Sequence, residues 1–293
     1  WDTNLSLLSG IRVDFPSIVQ QYQQRLRPPE ASLDADKVYI AYHVLESGDS
    51  PSYLQTRQHE VWADSRRGHI PINWAMGAGI LDLAPPIAAY YYEKATANDF
   101  LYMAISGIGY CHPYRDLMAE TPDPEAAWTG YLEWTDRYRR RMGFDSMGLY
   151  TDAWKPFDRE RHDTVTKRFI EGMPGVQALL LGMGRDEGCN ALNGNYYLDG
   201  SPVLVSHVLT RWPTDYVSKS REENIQWLVE DIQSQIPAER PAFLQVMALS
   251  WAFNPSEIEE VHRRLGPGHI AVSLPEMVQR YRQFSEPKNE HKE

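Results

Sequence analysis

The chain has 293 residues, enough for one large domain or two small ones, and its 42% hydrophobic and 24% charged residues are typical of a folded globular protein rather than a disordered one. The formal net charge of −11 argues against nucleic acid as a partner, because binding to phosphate groups needs a basic surface. No apolar run approaches the roughly 18 residues of a membrane span, and the two cysteines form neither a disulfide framework nor a zinc pattern.

Short, β-rich apolar runs alternate along the chain with helical stretches. The predicted strands are residues 38–45, 69–76, 100–106, 147–153, 176–183, 202–209, 243–250 and 269–274. The predicted helices are residues 15–26, 86–96, 124–142, 163–171, 221–236, 256–265 and 275–284. Most of the strands are continuously apolar, as expected of parallel strands that are buried on both faces. The pattern predicts an α/β fold, an irregular (β/α) barrel of about eight mostly parallel strands, as a single domain over residues 1–284 with a frayed tail at 285–293.

A barrel of this kind carries its functional residues where each strand passes into the loop that follows it. Carboxylates, aromatic rings and imidazoles recur at these positions. They are Glu46 and Asp49 after the first strand, Trp74 in the second, Tyr110 and His112 after the third, Asp152 and Trp154 at the fourth, Arg185, Asp186 and Glu187 after the fifth, His207 and Trp212 at the sixth, and Trp251 after the seventh.

Carboxylates and aromatic rings at one rim indicate a carbohydrate site, because aromatic faces stack on pyranose rings while carboxylates bind sugar hydroxyls. Hydrolysis of a glycosidic bond needs two carboxyl groups, one as acid and one as nucleophile or base. We expect Asp49 to be the first catalytic carboxylate, with Glu187 or Asp186 opposite it and Glu46 in reserve. The remaining strand-end residues are expected to line the sugar subsites.

Structural explanations exist for several of these residues. Asp49 flanks a glycine turn, where an aspartate often bonds its own backbone, and Arg185 could form a local ion pair with the two carboxylates beside it. His43 lies within a strand and fits a core histidine better than a ligand. No His-x-His or His-x-x-x-His spacing is present, so neither a metal nor another cofactor is expected.

Residues 106–113 read Ser-Gly-Ile-Gly-Tyr-Cys-His-Pro and directly follow an apolar run, which predicts a buried strand that ends in a tight turn. Gly107, Gly109, Tyr110 and Pro113 match the pattern that gives the GxGYxYP family of putative glycoside hydrolases its name. The chain resembles this family over most of its length, and most strongly in its amino-terminal part, where Asn-Leu-Ser at 4–6, an acidic loop at 46–50, a tryptophan at 62 and Arg-Gly-His-Ile-Pro-Ile-Asn-Trp at 67–74 follow the family's order.

The resemblance implies a carbohydrate-active barrel domain that acts on an oligo- or polysaccharide and is normally the carboxyl-terminal part of a longer, often secreted bacterial protein. It assigns no catalytic residues. Ser47 and Ser50 replace an acidic residue and an asparagine of the family's loop, and His112 replaces its second tyrosine. The missing acidic residue leaves open a non-catalytic glycan-binding module on a hydrolase scaffold. A metal-dependent polysaccharide deacetylase is a further alternative.

Overall fold

The structure is a computed structural model that describes residues 5–29, 32–45, 51–150, 158–181, 195–205 and 213–289. Its strands are β1 Val38–Leu45, β2 Ile72–Met76, β3 Asp99–Met103, β4 Ser146–Leu149, β5 Ala178–Leu181, β6 Tyr196–Leu198, β7 Ser201–Val205, β8 Ala242–Leu249 and β9 His269–Ala271. Its helices are α1 Leu5–Leu8, α2 Phe15–Arg25, α3 Pro51–Gln55, α4 Arg57–Trp62, α5 Ile80–Leu83, α6 Pro85–Lys94, α7 Pro124–Met142, α8 Arg159–Gly172, α9 Pro213–Val217, α10 Arg221–Gln235, α11 Pro255–Leu265 and α12 Leu274–Asn289, together with a π-helical turn at Arg115–Ala119.

The described strands form one sheet in the order β6-β7-β5-β4-β3-β2-β1-β8, with β9 paired to β1. Every described pairing is parallel except that of β6 with β7. β7 and β8 lie far apart in this order, yet they contact each other, and Asn195 Nδ2 donates to the Phe243 carbonyl at 3.3 Å across the same gap. The sheet therefore curls into an irregular barrel, which confirms the predicted fold class.

One edge of β1 is shared between two strands. Val38–Ile40 pair with β9, whereas His43 and Val44 pair with β2. The completely buried Asn73 fills the junction, since its Nδ2 donates to the Tyr42 carbonyl at 3.0 Å and its Oδ1 accepts from the Leu274 amide at 2.7 Å. The Asn73 side chain thus pairs two backbone groups that have no strand partner where β1 passes from β9 to β2. This explains why an asparagine occupies an otherwise apolar strand.

The core has two layers. The larger one lies between the sheet and the surrounding helices. The smaller one fills the inside of the barrel with alternate strand residues such as Tyr39, Ala41 and Phe243, and α12 closes it with Met277 and Tyr281. Because α12 packs against the first residues of β1 and β8, the amino-terminal end of the barrel is filled with apolar side chains.

The eight predicted strands are all present, and the strand that the sequence analysis missed is β6. The third and fourth strands end earlier than predicted, at Met103 and Leu149. The connection between β1 and β2, for which no helix was predicted, contains α3 and α4, and the last helix continues to Asn289 rather than ending at 284. None of the helices in the described ranges combines the length and apolar character that crossing a bilayer needs.

Candidate functional site

The predicted site residues divide into two groups. Those in segments 46–50, 151–157, 182–194 and 206–212, which follow β1, β4, β5 and β7 along the chain, lie outside the described residues. They are Glu46, Asp49, Asp152, Trp154, Arg185, Asp186, Glu187, His207 and Trp212. The structure describes the others, which are Trp74, Tyr110, His112 and Trp251.

The turn after β3 is tied to both β4 and α7. Ser106 is completely buried, and its hydroxyl accepts from the Tyr150 amide at 3.0 Å and lies 3.2 Å from the Tyr150 carbonyl. From α7, the Tyr131 hydroxyl lies 2.6 Å and 2.7 Å from the carbonyl oxygens of Ser106 and Gly109, and Thr135 Oγ1 accepts from the Ile108 amide at 3.2 Å. The turn is therefore rigidly positioned, as a binding site on a loop requires.

We expect Gly107→Ala to lower the free energy of unfolding by about 2 kcal/mol or more. Gly107 has φ +115°, and a Cβ added there would lie 2.6 Å from Thr135 Oγ1 and 2.9 Å from Thr135 Cγ2. Gly109→Ala is the matched control, because a Cβ at Gly109 meets nothing within 4 Å. Urea denaturation of the two variants checks this, and equal losses would show that the steric account of Gly107 is wrong.

Tyr110, His112 and Tyr150 form an aromatic cluster where β3 and β4 end. The ring centroid of Tyr110 lies 5.3 Å from that of His112 and 5.7 Å from that of Tyr150. The His112 and Tyr150 rings stack with their centroids 6.0 Å apart. His112 is 6% exposed, and its backbone amide donates to Asp116 Oδ2 at 2.8 Å. Burial raises the pKa of Asp116, but hydrogen bonds from Arg115 and the His112 amide outweigh it and hold the pKa below its ordinary value. Asp116 is thus an ionised anchor for the turn.

His43 and Tyr102 also lie on the inner face of the barrel, deeper than the aromatic cluster at the strand ends. His43 Nε2 lies 2.8 Å from Gln245 Oε1, and because an amide oxygen only accepts hydrogen bonds, Nε2 carries the proton. The rings of His43 and Tyr102 meet at right angles, with centroids 5.4 Å apart. Burial raises the pKa of Tyr102 well above its ordinary value, and the nearby hydroxyls of Tyr150 and Tyr53 add to the shift.

The buried polar atoms of this interior that lack a hydrogen-bond partner among the described residues include His43 Nδ1 and the Tyr102 hydroxyl. Burial lowers the pKa of His43 from 6.5 to about 4, although its hydrogen bond to Gln245 opposes the shift, so the imidazole is neutral at pH 7. An acceptor and a donor on two contacting rings are thus left unsatisfied, whereas most buried polar groups of a protein are paired. His43 is buried as predicted, but only one of its ring nitrogens is satisfied.

We expect the free energy of unfolding to fall as the pH drops from about 6.5 to about 4. Burial lowers the pKa of His43, His162 and His262 to about 4, so the unfolded chain binds more protons than the folded chain between these values. The slope is about 1.4 kcal/mol per pH unit for each histidine inside this range. Urea denaturation at several pH values should show a shallower slope for His262→Gln than for the unaltered protein. An equal slope for the two proteins would contradict this expectation.

The two described tryptophans of the predicted site lie in opposite environments. Trp74 is completely buried, donates its indole Nε1 to Asp99 Oδ1 at 2.9 Å and packs against Trp62 at 4.8 Å. It points to the helix layer, because its neighbours Asn73 and Ala75 occupy the inner face of β2 and side chains alternate along a strand. This corrects the expectation that Trp74 lines a subsite. Trp251 is 50% exposed directly after β8.

The structure also bears on the cysteines and on metal binding. Cys111 is a buried free thiol, and Cys189 lies outside the described residues. Burial raises the pKa of Cys111 to about 12, which leaves it protonated at neutral pH. Within the described ranges, no three His, Cys, Asp or Glu side chains are placed to hold a metal ion.

Similar folds occur among solved structures. A putative hydrolase from Bacteroides thetaiotaomicron matches 95% of this chain with a TM-score of 0.73 and 20% identity, and the chain spans 50% of that protein's length. A putative polysaccharide deacetylase from Mycobacterium smegmatis matches 89% of the chain with a TM-score of 0.52 and 8% identity, over 95% of its own length. These likenesses support the α/β barrel architecture.

The search of curated proteins found no match. The model of the GxGYxYP putative glycoside hydrolase C-terminal domain, however, matches residues 36–282, which include every strand from β1 to β9 and the turn with its two glycines. The chain therefore belongs to the GxGYxYP putative glycoside hydrolase family.

Proposed function

We propose that the protein hydrolyses a glycosidic bond of an oligo- or polysaccharide at the carboxyl-terminal end of its barrel. The observation that carries this proposal is that the side chains on the barrel's inner face change from apolar at one end to polar and aromatic at the other. Apolar side chains and α12 fill the amino-terminal end, whereas His43, Tyr102, Tyr110, His112 and Tyr150 gather toward the carboxyl ends of the strands. Parallel α/β barrels carry their active sites at that end.

Asp49 and Glu187 remain our candidates for the catalytic pair, with Asp186 and Glu46 as alternatives. Asp49 follows β1 and Glu187 follows β5, and three strands separate β1 from β5 in the sheet. In a curled sheet, strands so spaced lie on opposite walls of the barrel. For this reason we choose the carboxylates that follow these two strands in the sequence as the pair that acts on one glycosidic bond from opposite sides.

The reaction divides into two roles. One carboxyl group, protonated, gives its proton to the oxygen of the leaving sugar, and the other, ionised, attacks the sugar or activates a water molecule. A separation of roughly 5–5.5 Å between the two carboxyl groups fits retention of configuration, and roughly 6.5–9.5 Å fits inversion. Asp116 is unsuited to the acid role, because two hydrogen bonds keep it ionised.

Removal of acetyl groups from a polysaccharide is the second candidate activity. The fold similarity to the Mycobacterium smegmatis protein named a putative polysaccharide deacetylase favours it. Binding of a glycan without turnover is the third, and Ser47 in place of an acidic residue favours that reading.

One set of assays separates these activities. The protein is incubated with chitohexaose, cellohexaose, xylohexaose and maltohexaose, and new reducing ends and released acetate are measured beside binding by calorimetry. We expect new reducing ends from at least one glycan. Acetate release from chitohexaose without chain cleavage would replace the proposal with deacetylation, and binding without either product would replace it with a binding module.

A further inference from the structure

Trp251 is presented to solvent by a sharp turn after β8. The amides of Ala252 and Phe253 both donate to the Leu249 carbonyl, at 2.9 Å and 3.0 Å, so the chain reverses within a few residues. Phe253 is 1% exposed and anchors the turn in the core, whereas Trp251 is 50% exposed. The turn therefore holds a large apolar ring at the rim of the barrel instead of burying it.

Arg57 fastens this turn to the connection between β1 and β2. Its Nε and Nη2 donate to the Ser250 carbonyl at 2.9 Å and 2.5 Å, and its Nη2 also lies 3.1 Å from Asn254 Oδ1. The guanidinium carbon lies 6.0 Å from the centroid of the Trp251 ring. A bidentate guanidinium of this kind fixes direction as well as distance, so Arg57 braces the residues on both sides of Trp251.

Aromatic side chains connect Trp251 to the interior of the barrel. The ring of Tyr53 in α3 lies 6.5 Å from that of Trp251, and Tyr53 is 5% exposed. Tyr53 also lies close enough to Tyr102 to contribute to the raised pKa of that residue. Tyr102 in turn contacts His43. A line of two ring contacts and one electrostatic interaction thus connects the exposed indole with His43.

We propose that Trp251 is an outer stacking subsite for one sugar ring of a glycan chain, and that Arg57 is the residue that positions it. The proposal rests on the proposed function and narrows its substrate to a chain of several sugars, because two aromatic residues separate Trp251 from His43 along this line. The flat indole face matches the C–H face of a pyranose, and burying both removes apolar surface from water. Arg57 acts through Trp251 and does not itself contact the sugar.

Trp134 offers a matched control for the first experiment. It is also 50% exposed and also has an arginine beside it, Arg137, whose guanidinium carbon lies 4.9 Å from its ring centroid, but it lies on α7. Calorimetry with the four hexasaccharides named above and their disaccharides compares Trp251→Ala with Trp134→Ala. For a hexasaccharide that the unaltered protein binds, we expect about tenfold weaker binding by Trp251→Ala, which corresponds to about 1.4 kcal/mol, and unchanged binding by Trp134→Ala. The disaccharide, which fills only the inner subsites, should bind all three proteins alike.

The second experiment tests the positioning role without any ligand. The indole N–H resonance of Trp251 is assigned by its loss in Trp251→Ala. It should shift and broaden in Arg57→Gln, should remain broadened in Arg57→Lys, which lacks the bidentate geometry, and should be unchanged in Arg137→Gln. An undisturbed resonance in Arg57→Gln would overturn the role of Arg57.

The remaining outcomes are also decisive. If Trp251→Ala binds hexasaccharides as the unaltered protein does, the outer subsite is wrong while the proposed hydrolysis can stand. If the unaltered protein neither binds nor cleaves any of the four hexasaccharides, both the subsite and the proposed function are overturned.

Discussion

Asp49→Asn should reduce the release of reducing ends from a glycan substrate by about a thousandfold, with little change in glycan binding or in the free energy of unfolding. The substitution keeps the size and polarity of the side chain but replaces the carboxyl group, which can ionise, with an amide, which cannot. Glu187→Gln should cause a comparable loss, because both carboxyl groups act on the same bond. Both residues lie outside the described part of the chain, so the expectation rests on their positions in the sequence after β1 and β5.

Asp36→Asn is the matched control. Asp36 is exposed and precedes β1 in the sequence, whereas Asp49 follows β1. Turnover by Asp36→Asn should equal that of the unaltered protein. Full turnover by Asp49→Asn would remove Asp49 from the catalytic pair, and a loss confined to Glu46→Gln would transfer the role to Glu46.

Asp99→Ala should lower the free energy of unfolding by about 3–5 kcal/mol. Asp99 is completely buried at the start of β3, and its carboxylate accepts hydrogen bonds from Trp74 Nε1 at 2.9 Å, from the Thr96 amide at 2.8 Å and from the Arg67 guanidinium. That guanidinium also stacks 4.2 Å from the centroid of the Trp62 ring. Removing the carboxylate leaves a mostly buried positive charge and two further donors without their acceptor.

The ion pair of Arg168 with Glu125 serves as the control for this prediction. It is also bidentate, with distances of 2.8 Å and 2.5 Å, but it lies at the surface, where solvent screens the charges. Urea denaturation should show a much smaller loss for Glu125→Ala than for Asp99→Ala. The double variant Arg67→Ala with Asp99→Ala should lose less than the sum of the two single losses, because the two side chains depend on each other. Similar losses for Asp99→Ala and Glu125→Ala would show that the buried network is not a major source of stability.

The fold could be predicted from the sequence because its strands are buried on both faces. Continuous apolar runs such as Val38–Leu45 stand out from the helices between them, and a parallel sheet follows from their alternation. β6 was missed because it has only three residues. A local signal for it existed, since Asp199 and Gly200, both with positive φ, form a two-residue connection to β7 of the kind that Asp-Gly favours.

The candidate site could be predicted less well, because a position near a strand end does not reveal which face a side chain occupies. Trp74 and Asn73 are neighbours in β2, yet one packs into the helix layer and the other faces the inside of the barrel. Because side chains alternate between the two faces of a strand, assigning Ala75 to the interior would have placed Asn73 on the inner face and Trp74 on the outer face. Tyr110 and His112, by contrast, lie together at the end of β3, as the glycine turn indicated.

Other features of the site depend on contacts between distant parts of the chain. The bond of His43 to Gln245 spans 202 residues, and that of Tyr131 to Ser106 joins a helix to a turn. Arg57 reaches Ser250 across 193 residues. No local pattern reveals such pairs, since each partner is an ordinary polar residue in its own segment. The neutral, half-satisfied imidazole of His43 therefore emerged from the structure alone.

Mass spectrometry of a glycan after incubation with the protein in heavy-oxygen water tests the central claim most directly. Hydrolysis at the carboxyl-terminal end of the barrel predicts two shorter chains from each cleavage, of which only the chain with the new reducing end carries one heavy oxygen, and predicts that Asp49→Asn fails to form them. A full-length chain that has lost only acetyl groups, or a chain that is bound but unchanged, would contradict the account.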